Sequence, residues 1–558
     1  MVRKKLMALF TAALLLSSAA LTGCGGASSG GAASSAGGGE AASAAADKAG
    51  SDTAGAASEA GADTAGAASE AAGAAETTGS GEAKHLNASI YWFGDSLDPA
   101  HDWDGWTTCR CGITENLVTI NDKYELVPQL SDTWEQKDNK TWVMHIRDGV
   151  TFHNGKAVDG AAVKASFDRV IAENPDRAVD AKIDSITADG QTVTFVTTEP
   201  YGAFLAQITE PLWSVIDVDA GTDIASAPVG TGPFAVTDFE VNTVVELEKY
   251  ADYWNGASAI DTVTVTLIED DSTRGLALQS GEQDLIQRCT STDLPTFQND
   301  SNYTVLDTQG ARIRILLINH KNEFLSDVNV RKAFASAIDY ETLVSLLGDI
   351  VTIAGAPYPA SAPYGYDSLD KQTFDLAAAK DLLKKAGYED GDGNGYVEKD
   401  GKELKLEVAY SNADYTTTLE AVQSMVKEAG INLSLSMMDS VSEIESAGNF
   451  DLILTNWQAL STGDPQWFLD NLYRSDASNN CTGYASKDID KMCNDLTLAF
   501  DQKDRQNIVI EAQKILLADC ASVWLTGEKN FVLMNSKVKN VTGYPIDYYF
   551  LDNGITID

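Results

Sequence analysis

Trp142, Met144 and Ile146 alternate with Thr141, Val143, His145 and Arg147, the period of a half-buried strand. Arg147-Asp148-Gly149-Val150 predicts a turn, with Gly149 free to take a left-handed backbone. Val150-Thr151-Phe152 is expected to return as a second short strand, ended by His153-Asn154-Gly155. The period then lengthens. Asp159 precedes Ala161, Val163, Phe167 and Val170, the spacing of an amphipathic helix with an acidic N-cap. Further on, Asp451-Leu452-Ile453-Leu454 reads as a short apolar strand and Leu406 to Asn412 as another. The two periods alternate along the chain, which predicts an α/β class. Lys84 to Asp558 is too long for one core and implies two or three sub-domains.

Two segments depart from this pattern. Arg3-Lys4-Lys5 is followed by an apolar run from Leu6 to Leu21, short for a membrane span but suited to a signal peptide. Leu21-Thr22-Gly23-Cys24 has the form of a bacterial lipobox. Residues 1–23 are thus expected to be removed, leaving Cys24 with a thioether-linked diacylglycerol and an N-acyl chain such as palmitate. Each buried methylene adds about 0.8 kcal/mol, enough in sum for stable anchoring on the outer side of the cell membrane. From Gly25 to Ala83 the chain is Gly, Ala, Ser and a few acids, with DTAGAASEA repeated at Asp52 and Asp63. Such a stretch cannot bury enough apolar surface to offset its ordering entropy, so 24–83 is read as a disordered tether.

The net charge is −42, most of it in Lys84 to Asp558. That excludes general nucleic-acid binding and otherwise reports solubility. Of seven cysteines, six remain once Cys24 is lipidated. Cys109-x-Cys111 lacks the second pair that zinc needs, so core thiols or disulfides are expected, and spacing cannot choose among the pairings. Asp390, Asp392 and Asn394 stand at positions one, three and five of a Gly-rich loop, as in a calcium loop. Position twelve, however, is Gly401 where a bidentate Glu belongs, so a connecting turn is expected, with calcium as the alternative. Five dispersed histidines and the lack of H-E-x-x-H or G-K-[ST] argue against an enzyme, a peptidase included. No cofactor is expected.

IRDGVTFHNG and VKASFDRV, within Leu126 to Arg169, resemble the signature block of the family 5 bacterial extracellular solute-binding proteins. Further collinear segments are similar to that family: TENLV at Thr114, PVGTGPF at Pro228, YADYWNG at Tyr250, LALQSGEQDLI at Leu276, and DVNVRKA through Ile338-Asp339. Several matches in one order carry far more weight than any single one.

The resemblance implies a two-lobed periplasmic-binding-protein-like fold, an extra sub-domain in the first lobe, and a hinged cleft for the ligand. Lobe I is expected at 84–311 plus 524–558 and lobe II at 312–523. It implies a monomeric receptor that delivers di- or oligopeptides to an ABC permease and its ATPases. A nickel or metal chelate is the alternative ligand, and a surface adhesin a more distant reading. Aromatic and charged residues near the expected cleft are Trp106, Arg110, Arg312, Trp457 and Trp467. In peptide-binding relatives an acid in the 456–468 loop pairs with the ligand's ammonium, and Asp464 matches that position. The strand where dipeptide-binding relatives carry an Arg, Leu406 to Asn412, has none. Arg110, Arg312 or Arg314 substitutes, or the ligand is not a free dipeptide. The DSLDP and GITENLV opening is closer to the nickel-type branch, yet Gln466 and Trp467 stand where that branch often places a His.

Overall fold

The computed structural model describes residues 83–558; Cys24 and the low-complexity stretch through residue 82 lie outside the described residues. Ile313-Arg314-Ile315-Leu316-Leu317-Ile318 is buried on both faces and apolar but for Arg314, as in a strand covered from two sides. It ends the longest strand, Tyr303–Ile318, whose antiparallel partner is Ser522–Asn535. These two lie at the middle of an eleven-stranded sheet. On one side follow Leu452–Gln458, Lys405–Tyr410 and Asn432–Met437. On the other follow Leu285–Gln287, His85–Ile90, Thr262–Leu267, Val244–Lys249 and Phe234–Glu240; the eleventh, Val351–Ile353, pairs with Ser522–Asn535 off this path. Each side contains parallel pairs, His85–Ile90 with Thr262–Leu267 and Lys405–Tyr410 with Asn432–Met437.

The central pair loses register between Gln309 and Ile313. Gly310 sits in that break, where a Cβ would come 2.9 Å from the Glu528 carbonyl. Chain on one side of the break packs around Leu86, Val263 and Phe234; on the other it packs around Ile315, Phe468 and Trp524. The molecule is therefore two-lobed, with both lobes sharing one sheet.

A smaller antiparallel sheet belongs to the first lobe: Ser131–Gln136, Thr141–Ile146, Thr192–Thr197 and Ile183–Asp189. Trp142, Met144 and Ile146 face its core, as their alternation predicts. Helix Gly160–Glu173 lies over this sheet, and the Asp159 side chain accepts from Ala162 N as its N-cap. The expected return strand does not form. Val150-Thr151-Phe152 makes only an isolated bridge from Thr151 to Ala157, because Thr141–Ile146 already has strands on both edges. Gly149 is left-handed at φ 80°.

All six described cysteines are free thiols, which corrects the disulfide alternative. Burial pushes Cys109 and Cys111 up to about 12, so they are inert core groups. Among the described residues no helix is long and apolar enough to cross a membrane.

Candidate functional site

A short helix, Gly105–Arg110, begins after the tight Trp103-Asp104 turn. Its two ends serve different surroundings. Trp106 faces the gap between the lobes, while Arg110 at the last turn is buried. Trp106 Nε1 donates to Glu210 Oε1 at 2.9 Å, which fixes the indole. Its ring meets Trp103 edge-on at 5.2 Å and Tyr548 at 5.3 Å. Arg177 lies 3.6 Å over the Trp103 ring and 2.6 Å from Glu210.

The facing wall comes from the strand Leu452–Gln458 and the helix Gln466–Leu472. Trp457 and Trp467 sit 5.7 Å apart at the exit of that strand, a sheet edge of the kind that holds ligands. Trp467 Nε1 donates across the gap to Asp180 Oδ2 at 2.9 Å. Burial raises Asp180, and that indole bond partly offsets the rise. Arg312 lies within the register break, with Nε 2.9 Å from Asp547 Oδ2 and its guanidinium 5.5 Å from the Trp106 ring.

These groups enclose a cavity of about 370 Å³. Trp106, Arg312, Trp457 and Trp467 all line it. Arg110 instead lines an adjoining chamber. Asp464 lines neither. It accepts from Arg505 Nε at 2.8 Å and Nη2 at 2.6 Å, and from Gln466 N at 2.9 Å. A carboxylate so engaged has little left for a ligand ammonium, and Arg505 would be stranded without it. The carboxylates that face the cavity are Asp180, Glu210 and Glu445.

The cavity also holds amides that the sequence reading passed over. Gln458 is buried, and neither its Nε2 nor its Oε1 has a hydrogen-bond partner. Asn456 donates to Glu528 Oε1 at 2.7 Å, but its Oδ1 is unpartnered. Buried amides are normally satisfied, so an unsatisfied pair at a cavity wall has hydrogen-bonding capacity left over. Their one signal in sequence is the polar break in an otherwise apolar strand. Arg177, Asp180 and Glu210 gave none, since the residues they meet lie far away in the chain.

No histidine lines either chamber. The calcium-like loop is closed on itself: Asp390 accepts from Gly393 N and Gly395 N, Asp392 from Asn394 N, and Asn394 from Tyr396 N. Among the described residues no group of three or more His, Cys, Asp or Glu could hold a metal ion.

Comparison with known proteins agrees with the two-lobed fold. The model for "Bacterial extracellular solute-binding proteins, family 5 Middle" matches residues 125–480. The nickel-binding protein NikA of Staphylococcus aureus is 26% identical over 478 residues, covering 85% of this chain and 94% of its own. The glutathione-binding protein GsiB of Pectobacterium atrosepticum is 26% identical over 475 residues, covering 80% and 89%. A crystal structure of a nickel ABC transporter from Bacillus halodurans matches with TM-score 0.74 at 30% identity, covering 85% of this chain and 99% of that one.

Proposed function

Given that the chain belongs to the family 5 bacterial extracellular solute-binding proteins, we propose that it captures small peptides for an ABC importer. The observation that carries the peptide reading is the unsatisfied Gln458 amide between tryptophan walls. A peptide bond offers both the donor and the acceptor that Gln458 lacks, and indoles accept varied side chains. Trp106, Trp457, Trp467 and Arg312 are assigned to ligand contact. Asp464 is reassigned from reading an ammonium to positioning Arg505. No turnover is proposed, since neither chamber pairs a nucleophile with a base.

The receptor is a monomer anchored through Cys24 and delivers its ligand to permease subunits; the hinge is assigned to the register break at Gln309–Ile313. Membrane fractionation checks the anchor: Cys24→Ser is expected to release the protein or leave it unprocessed, whereas unchanged membrane-bound mature protein would overturn the assignment.

Nickel-binding relatives support a second ligand class. With no histidine at either chamber, a metal would have to arrive fully chelated. Mass spectrometry of natively purified protein, followed by calorimetry with di-, tri- and tetra-alanine, separates the two. A retained peptide is expected, and Gln458→Ala should weaken binding about tenfold, given about 0.5–1.5 kcal/mol per neutral hydrogen bond. A retained nickel chelate with no affinity for any of the peptides would replace the peptide reading.

A further inference from the structure

Beyond Trp106 the cleft continues into a second chamber of about 510 Å³ that the peptide reading leaves without a role. Its walls are basic. Arg110, Arg288, Arg312 and Arg314 line it, with Tyr91 as aromatic surface. Fully buried Arg274 stands beside it, paired with Asp271. Asp547 takes Arg312 Nε at 2.9 Å and the Tyr91 hydroxyl at 2.5 Å, and lies 4.0 Å from Arg110 Nη2. Glu528 takes Arg314 Nε at 3.1 Å and Asn456 Nδ2 at 2.7 Å. Burial alone would raise both acids. Arg312 and Arg110 around Asp547, and Arg314, Arg288 and Arg312 around Glu528, more than offset it and hold both below the ordinary carboxylate range.

Five guanidinium groups thus face three partner carboxylates, an interior excess of two positive charges. Glu269 and Asp414 also reach this chamber, but both are exposed and water screens them. The excess can be located. Arg288 stacks 4.6 Å from the Tyr91 ring, and its guanidinium makes no ion pair among the described residues. Arg110 is 1% exposed, and its Nη1 has no hydrogen-bond partner. Buried charge without a counter-charge is costly and is normally paired or bound to a ligand.

We propose that this chamber is an anion subsite, in which Arg110 and Arg288 take a carboxylate of the transported ligand. The two chambers share Trp103, Trp106, Arg312 and Asn456, so one ligand spans both, its amides in the first and its acid in the second. A planar guanidinium fork matches a carboxylate in shape and charge. The assignment rests on reading the cleft as a receptor site and narrows its ligand to one carrying an acid.

The test uses the full chain, dialysed free of ligand, and follows tryptophan fluorescence from Trp92, Trp103 and Trp106. Succinate and citrate should each give a saturable change, and neutral succinamide none. Arg288→Gln should weaken succinate at least tenfold, and Arg288→Lys should restore part of the loss. Without Arg288, Glu528 keeps its hydrogen bond from Arg314, so circular dichroism should show an unchanged fold. Equal binding of succinamide, an unaltered Arg288→Gln variant, or no succinate response from a cooperatively melting protein would each overturn the subsite. Preference for inorganic phosphate over every carboxylate would overturn the choice of anion. Tetra-alanine as free acid against its C-terminal amide separates this idea from the peptide reading. Equal affinities sink the subsite and leave the peptide reading standing; succinate binding without binding of either peptide does the reverse.

Discussion

Arg505 donates to Asp464, Gln466 and the carbonyls of Leu496 and Ala499, and is 6% exposed. Removing its acid strands a buried cation. Asp464→Ala should therefore lower unfolding free energy by about 3–5 kcal/mol in a urea titration, with Asp464→Asn losing less. A loss of ligand affinity at unchanged stability would instead return Asp464 to the ligand. Glu115 behaves differently. Burial pushes its carboxyl from 4.5 up to about 7, against hydrogen bonds from Tyr253, Trp254, Thr231 and Gln129. The folded state then keeps a proton that the unfolded chain has released. Its contribution is fully present below about pH 4.5 and is lost as pH rises through 7. The change is about 3 kcal/mol at 1.36 kcal/mol per pH unit. Urea midpoints of wild type and Glu115→Gln, compared at pH 4.5 and pH 8, should differ by that pH-dependent amount; parallel curves would show that Glu115 stays ionised throughout.

Helices Lys487–Leu498 and Gln502–Asp519 meet in an elbow that reaches the first lobe. Gly202 N donates to Thr497 O at 2.9 Å, and Phe500 lies 6.3 Å from Trp142. A Cβ at Gly202 would fall 2.1 Å from the Ala499 carbonyl. Gly202→Val should thus prop the lobes apart, with a larger radius of gyration by X-ray scattering and about tenfold weaker ligand binding, as the closed state becomes rarer. An unchanged radius would show that the elbow does not govern closure. At this scale the sequence was informative where signals were local. Helix Gly160–Glu173 declared itself through its cap and period. Val150–Phe152 misled because a strand pattern says nothing about which edges remain free. In the cleft, the tryptophans stood out by type. Gln458 did not, because an amide is unremarkable until its lack of a partner is seen. The Arg505 partner of Asp464 lies 41 residues on, beyond the reach of any local motif.

At the scale of the molecule, two lobes joined by a register break should close on a ligand and melt higher. At a hundredfold excess over Kd the gain is about 2.7 kcal/mol. Tight binding with neither compaction nor a raised Tm would argue against a hinged receptor. The overall architecture was legible because collinear motifs span most of the chain, whereas the shared sheet was not: strand order is set by pairings across hundreds of residues. That sheet bears on how the chain folds. Ser522–Asn535 sits at the centre between Tyr303–Ile318 and Leu285–Gln287, yet it follows every other strand of that sheet in sequence. Neither lobe can complete its core until this strand arrives, so the lobes are not independent folding units and should unfold in one cooperative transition. Until Ser522–Asn535 pairs, Tyr303–Ile318 and Leu285–Gln287 each keep an open hydrogen-bonding edge.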